Sequence, residues 1–182
     1  MGIHVGNISK SYLFGWNLLI MIFVTLGSQK FQFNRLLIAI DEQIAQKKIT
    51  DPVFAQTGYS DYVPKYFEYK NFLNRDEFSQ AEEESDIVIT HGGSGAIIGA
   101  LKKHKKVIAV PRLAKYGEHV DDHQLQLIQQ FENLNLLCVC HDCGDIWKAI
   151  NEVKSSNYLV YHSNTTSIIE NINKFIAGVT IE

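Results

Sequence analysis

A glycine-rich turn at 91–95 contains the residue types in this sequence that are best suited to chemistry. It follows a β-branched run at 86–90 and precedes a helix-like segment at 96–101. Glycine lets the backbone approach an anion closely, and the N-terminus of a following helix offers unpaired N–H groups and the positive end of its dipole. The pattern therefore predicts a phosphate-binding turn. Its members are His91, Gly92, Gly93, Ser94 and Gly95.

A second polar cluster follows the next apolar run of the sequence, at 107–110. Loops that leave the carboxyl ends of neighbouring parallel strands meet at one sheet edge, where open α/β sheets bind their ligands. The two clusters therefore predict one site, and its phosphate-binding turn favours a nucleotide diphosphate as the ligand. The members predicted in the second cluster are Arg112, Glu118, His119, Asp122, His123 and Gln124.

Several of these side chains have two possible roles. His91 either contacts a phosphate or sugar hydroxyl, or hydrogen-bonds within its own turn. Arg112 pairs either with phosphate or with a carboxylate in an ordinary salt bridge. Asp122 suits a sugar or ribose hydroxyl, but it or Asp121 can also cap the helix that follows, and the two roles can coexist.

Strand-like and helix-like segments alternate along the chain. This alternation is typical of an α/β fold with a Rossmann-like parallel sheet and helices on both faces. Asn74 and Glu77 form a capping box at the start of one helix. The predicted strands are 21–26, 53–57, 66–69, 86–90, 107–110 and 136–139, and the other predicted helices are about 31–46, 94–104, 120–131, 144–153 and 166–177.

Composition excludes several classes of protein. A chain of 182 residues has room for one domain with a full core, but not for two complete Rossmann domains. Its net charge of -3 gives no sign of nucleic-acid binding. Three cysteines are too few for a disulfide framework, so a reducing compartment fits best.

We expect three parts in the chain. Residues 1–20 form an N-terminal extension that is poorly ordered or non-native, or alternatively a short element that contacts a membrane or a partner. The apolar run at 12–26 is shorter than the roughly 20 residues that a spanning helix needs. A Rossmann-like domain occupies 21–163. Residues 164–182 contain the last helix, whose apolar face must dock on this domain or on another protein.

Cys138, Cys140 and Cys143 lie close to His141 and together supply ligand types that zinc accepts. The sequence lacks a second Cys-x-x-Cys pair, and Cys138 and Cys140 lie two apart on a predicted strand, on one face. Burial as small apolar side chains is therefore favoured over a metal site.

Two common nucleotide-binding families do not fit. A nicotinamide-binding Rossmann domain has its glycine-rich turn after the first strand, whereas this turn follows the fourth predicted strand. A P-loop requires Gly-Lys-Ser or Gly-Lys-Thr, and neither triplet occurs in the sequence. Dehydrogenase, kinase and ATPase functions are thereby set aside.

Three motifs at characteristic spacing match one family. They are Val24-Thr-Leu-Gly-Ser28, the 91–95 turn, and Pro111-Arg112 with Tyr116-Gly-Glu-His119 and Asp122-His-Gln124. From position 21 to about 177 the chain resembles the C-terminal, donor-binding domain of family-28 glycosyltransferases, most closely small bacterial exopolysaccharide and capsule glycosyltransferase subunits. It is also similar to the catalytic subunit of the eukaryotic two-part N-acetylglucosaminyltransferase that builds dolichol-linked oligosaccharide.

The resemblance implies one half of a GT-B glycosyltransferase, a UDP-sugar-dependent hexosyltransferase that is active only with a partner. The partner is a membrane-associated, acceptor-binding subunit, and the acceptor is a polyprenyl-diphosphate-linked sugar. The chain would then be cytoplasmic and recruited to the inner face of the cytoplasmic membrane. Gly27 and Ser28 would close over the diphosphate, and no metal or other cofactor is expected.

The resemblance leaves the catalytic residue unknown, with His91, Glu118 and His119 as candidates. The general base can lie on the partner. Relatives often have a ribose-binding glutamate where this chain has Gly99, so Glu118 or Asp122 becomes the expected ribose partner. A non-catalytic accessory subunit is the first alternative. A nucleotide-sugar epimerase is disfavoured by the length of the chain.

Overall fold

The computed structural model describes residues 20–120 and 123–163 of the chain. Strands and helices alternate through these residues, as the sequence predicts. The strands are β1 Ile22–Thr25, β2 Val53–Gln56, β3 Glu68–Lys70, β4 Ile87–Thr90, β5 Lys106–Ala109 and β6 Cys138–Val139. The helices are α1 Asn34–Ala45, α2 Arg75–Glu84, α3 Ser94–Lys102, α4 His123–Asn133 and α5 Ile146–Ser155.

All these strands pair in parallel in one sheet with the order β3-β2-β1-β4-β5-β6. Their carboxyl ends therefore lie on one side, called the carboxyl edge below. The strand order reverses at β1 and β4, the topological switch point where open α/β sheets bind ligands. The fold confirms the predicted Rossmann-like α/β class.

The core has one layer on each face of the sheet. Buried residues of α1 and α5 pack on one face, together with Ile22 and Val24 of β1. Residues of α2, α3 and α4 pack on the other face, together with Phe23. Successive side chains of a strand point to opposite faces, so an uninterrupted apolar strand serves both layers.

Strand β3 starts later than the predicted 66–69. The carboxylate of Asp41 accepts the N–H of Tyr66 at 2.8 Å and the N–H of Lys65 at 2.9 Å, so these amides serve a loop and not the sheet. A buried carboxylate far along the chain cannot be assigned to this role from local pattern. The predicted capping box of Asn74 and Glu77 is confirmed.

Helix α4 is described from His123 onwards, and position 120, its predicted start, is a bend outside the helix. A 3-10 turn at Ala114–Tyr116 precedes it, and Gly117 ends that turn with a left-handed φ of 67°. The predicted last helix and positions 1–19 of the predicted extension lie outside the described residues, while Ile20 packs against the core. None of the described helices is long and apolar enough to cross a bilayer.

Candidate functional site at the carboxyl edge of the sheet

Helix α3 begins at Ser94, and its N-terminus is open. Gly93 is the N-cap residue, and within the described residues no side chain caps the helix. The first backbone bond of the helix runs from the Ile97 N–H to the Gly93 carbonyl at 3.1 Å. The amides of the first helical turn before Ile97 therefore have no acceptor within the helix, and such amides bind anions.

The first turn of α3 is exposed among the described residues. Ser94 and Gly95 are both exposed. A Cβ built on Gly95 would meet no described atom within 4 Å. The sequence analysis places the Ser94 hydroxyl and the neighbouring amides against a diphosphate, and this geometry has the donors and the room for that contact, which stays a prediction.

The loop after β1 lies beside this turn. Thr25 at the end of β1 is in register with Thr90 at the end of β4. Gly27 follows with φ of 73°, a left-handed conformation that favours glycine. Ser28 is exposed at the same edge. The structure thus brings the loop after β1 beside the 91–95 turn, as the family resemblance implies.

His91 lies between the two turns. A Cβ built on Gly27 would be 2.6 Å from its Cε1 atom, and a Cβ built on Gly93 would be 2.6 Å from its Nε2 atom. Its Nδ1 lies 3.3 Å from the Thr25 carbonyl oxygen. Because a carbonyl only accepts, Nδ1 carries the proton and donates to Thr25. Both glycines are therefore needed to accommodate the imidazole.

Burial lowers the pKa of His91 to about 4, and the charge of Arg112 contributes to this shift. The imidazole is therefore neutral at neutral pH. A phosphate contact, one of the two roles predicted for His91, stays a prediction. The hydrogen bond to Thr25 shows the other role, although its acceptor lies on β1 and not within the turn itself.

The low pKa of His91 predicts a loss of stability in mild acid. The unfolded imidazole has a pKa of about 6.5 and takes up a proton before the folded one does, so stability falls as pH drops from about 6.5 towards 4. At pH 5 the expected loss is about 2 kcal/mol. Urea unfolding at neutral and acidic pH measures it. His91→Asn should reduce the loss by that amount, and an identical pH dependence in the variant would contradict the prediction.

Helix α4 packs against the turn at Gly92. A Cβ built on Gly92 would lie 2.4 Å from Cδ1 of Ile128 and 3.9 Å from Oε1 of Gln124. Oε1 of Gln124 is buried and has no hydrogen-bond partner among the described residues. The structure therefore brings Gln124 to the glycine turn, as the sequence predicts.

Arg112 holds the loop after β1. Its side chain is almost fully buried, and its Nη2 donates to the carbonyl oxygens of Leu26 at 2.7 Å and Phe31 at 3.1 Å. Its Nε and Nη1 have no hydrogen-bond partner within the described residues. Burial lowers the pKa of Arg112 to about 10, so the guanidinium stays charged at neutral pH. Its observed partners are main-chain carbonyls, and the phosphate contact stays a prediction.

Glu118 is also buried, and protein donors surround its carboxylate. Arg35 on α1 donates to both of its oxygens, and the Leu113 N–H donates to Oε2 at 2.9 Å. Arg35 was missed by sequence reasoning, because its position on the first turn of α1 looks like that of any surface arginine. No local signal identifies its partner 83 residues away.

The remaining predicted residues lie in or beside the gap at 121–122 in the described chain. His119 is partly exposed, and its ring lies 5.1 Å from that of Phe31 between centroids. Asp122 lies outside the described residues. His123 begins α4, and its main chain alone is described.

Gly99 faces helix α2 and not the open N-terminus of α3. A Cβ built on it would lie 3.3 Å from Oε1 of the buried Glu82. Lys103 pairs with the other oxygen of Glu82 at 3.0 Å. A Cβ at position 99 would therefore crowd the carboxylate of Glu82, which favours glycine there.

Cys138, Cys140 and Cys143 are buried free thiols, as the sequence predicts. Burial raises the pKa of the Cys143 thiol to about 12, so it stays protonated. Within 20–120 and 123–163, no three His, Cys, Asp or Glu side chains form a group that could hold a metal ion.

The sheet order and the open helix end at its switch point define a Rossmann-like α/β domain with an anion-receptive carboxyl edge. Residues 21–177 match the glycosyltransferase family 28 C-terminal domain, and the chain belongs to this family. It is therefore a glycosyltransferase domain with the fold of one half of a GT-B enzyme.

Relatives and solved structures agree with this assignment. The UDP-N-acetylglucosamine transferase subunit ALG13 of Candida albicans is 28% identical over 111 residues, which are 61% of this chain and 31% of that protein. The calicheamicin glycosyltransferase CalG4 superimposes with a TM-score of 0.59 at 18% identity, over 76% of this chain and 34% of that one. The solution structure of ALG13 gives a TM-score of 0.55 at 16% identity, over 84% and 94%. The chain thus matches about a third of the Candida relative's length.

Proposed function

We propose that this chain is the donor-binding, catalytic subunit of a two-component inverting glycosyltransferase. It transfers a sugar from a UDP-sugar to a polyprenyl-diphosphate-linked acceptor in exopolysaccharide or capsule biosynthesis. The observation that carries the proposal is the uncapped N-terminus of α3, which opens beside Gly27 and Ser28 at the switch point of the sheet. Membership of family 28 supports the reaction type.

The donor is proposed on chemistry and on relatives. Amides of the first turn of α3 suit a diphosphate, and their dipole favours its negative charge. The Candida relative is named as a UDP-N-acetylglucosamine transferase subunit, which supports a UDP-sugar. Different sugars are distinguished by a few polar contacts, so the transferred sugar is a question for assay.

Charge develops on the leaving diphosphate during transfer, and fixed donors aimed at it lower the barrier. The amides of Ser94, Gly95 and Ala96 are held in place by the helix, so they need no reorganisation when that charge appears. We assign them, with Ser28, to the leaving group. The reaction is proposed to need no metal. No residue of this chain is identified as the base that deprotonates the acceptor, and that base can lie on the partner.

A partner subunit is proposed because this chain has the fold of one half of a GT-B enzyme. It covers 34% of CalG4 and 31% of the Candida relative, and the latter is itself named a subunit. We propose a membrane-associated, acceptor-binding glycosyltransferase subunit that recruits this chain to the inner face of the cytoplasmic membrane.

Binding of UDP to the purified chain tests the proposal. We expect UDP to shift the amide resonances of Gly93, Gly95 and Ala96 in a nitrogen-labelled sample, since these amides are placed on the diphosphate. Inorganic pyrophosphate should shift the same amides more weakly, because it lacks the nucleoside. The absence of any shift with UDP, for the chain alone and together with its partner subunit, would overturn the donor-binding role.

A further inference from the structure

The guanidinium of Arg35 and the carboxylate of Glu118 form a bidentate salt bridge. Nε of Arg35 lies 3.0 Å from Oε1, and Nη2 lies 2.9 Å from Oε2. Glu118 is 1% exposed, so one partner is fully removed from water. Fork-to-fork pairs of this kind fix geometry more strongly than single ion pairs.

The other donors of Arg35 extend the contact to two further segments. Nη2 also donates to the Pro111 carbonyl at 3.2 Å, and Nη1 donates to Sγ of Cys143 at 3.0 Å. The guanidinium carbon lies 4.9 Å from the centre of the Tyr116 ring. Arg35 therefore ties helix α1 to the loop after β5 and to the turn before α5.

Glu118 also makes two hydrogen bonds across the loop after β5, both to Leu113. Its Oε2 accepts the Leu113 N–H at 2.9 Å, and its own N–H donates to the Leu113 carbonyl at 3.4 Å. The loop between these residues contains the left-handed Gly117. The loop at 111–119 thus depends on a charged group for its shape, and besides Glu118 it carries two further predicted donor-site residues, Arg112 and His119.

We propose that Arg35 is a positioning residue of the donor site and that it acts through Glu118. The pair holds the 111–119 loop at the geometry that the UDP-sugar requires. This inference rests on the proposed function. It also reassigns Glu118 from an expected ribose ligand to a support, because its carboxylate already accepts three protein N–H groups.

Removing one partner of a buried ion pair leaves the other charge unpaired and costs stability wherever the pair lies, whereas UDP affinity should fall only where the pair supports the donor site. Positioning and stability can therefore be separated by experiment. A control exists at the opposite edge of the sheet, where Lys154 pairs with Asp51 and both are partly buried. Lys154→Gln also breaks such a pair, but it leaves the 111–119 loop untouched.

The test compares Arg35→Gln, Glu118→Gln and Lys154→Gln by unfolding and by UDP titration. We expect the two loop variants to fold and to bind UDP about tenfold more weakly or worse, because small displacements of binding groups are costly. Lys154→Gln should lose stability and keep the affinity. Wild-type affinity in folded Arg35→Gln would overturn the inference.

Two further readouts separate positioning from direct contact and from failure of the proposed function. The ratio of affinities for UDP and 2′-deoxy-UDP should be the same in wild type and Glu118→Gln. A ratio that changes in Glu118→Gln would show a ribose contact and overturn the positioning role. Hydrogen exchange of the Leu113 amide should accelerate in Arg35→Gln even without ligand. Unchanged exchange there overturns the inference independently of UDP, whereas absent UDP binding by wild type overturns the proposed function.

Discussion

Ser94→Trp is expected to abolish binding of the UDP-sugar, with an affinity loss of about 100-fold or more and a melting temperature close to that of the wild type. Ser94 is exposed at the first position of α3, so an indole there does not have to enter the core. It should extend into the space in front of the helix and cover the amides that are proposed to bind the diphosphate. UDP titration and thermal unfolding of the same sample measure both expectations.

Lys102→Trp is the matched control for this variant. Lys102 is exposed at the last position of α3, so the substitution adds the same ring to the same helix at its other end. It should leave UDP affinity unchanged. Full UDP affinity in Ser94→Trp would refute the diphosphate site. Ser94→Trp that fails to bind UDP but still supports transfer by the two-subunit complex would favour a non-catalytic accessory role.

Much of the fold follows from local pattern. A strand that is buried on both faces is largely apolar, and the buried strand Ile87–Thr90 has only one polar residue, at its end. A capping box is a purely local device, so Asn74 and Glu77 predict their helix correctly. Strand β3 was misplaced because a distant carboxylate, that of Asp41, binds the amides at its predicted start.

The candidate site also has parts that the local sequence predicts and parts that it does not. Its glycine turns are readable because backbone conformation and anion binding are local demands, and the strand register then brings Gly27 and Gly93 to one edge. The contacts that hold these turns and the 111–119 loop cannot be predicted from the local sequence. The hydrogen-bond partners lie more than 60 residues away in sequence for Arg35, Arg112 and His91. The residues that flank these side chains do not indicate those partners.

The glycines of the 91–95 turn therefore differ in what they accomplish. Gly95 faces open space, and its missing side chain leaves room for a ligand. Gly93 lies against the imidazole of His91, and its missing side chain leaves room for part of the protein. A single glycine-rich motif thus leaves room for packing at Gly93 and for the proposed ligand at Gly95, and substitution by alanine distinguishes the two uses.

Gly93→Ala is expected to lower the free energy of unfolding by about 1–3 kcal/mol through overpacking. Its φ of -70° suits alanine, so the backbone is not the obstacle. The new Cβ would lie 2.6 Å from Nε2 of His91, and that ring cannot retreat freely because Gly27 contacts it and Thr25 binds its Nδ1. Gly95→Ala is the control, and it should keep or raise stability because its Cβ meets open space within a helix. Urea unfolding measures both variants.

A double-mutant cycle with His91→Ala identifies the ring as the cause. Removing the imidazole leaves the new Cβ at position 93 without the atoms it would strike, so Gly93→Ala should cost less than half as much in the His91→Ala background. The coupling arises because the two residues are in contact, and distant pairs show no such term. An equal cost in both backgrounds would mean that another neighbour limits the turn. Glycine at position 93 would then not be explained by packing against His91.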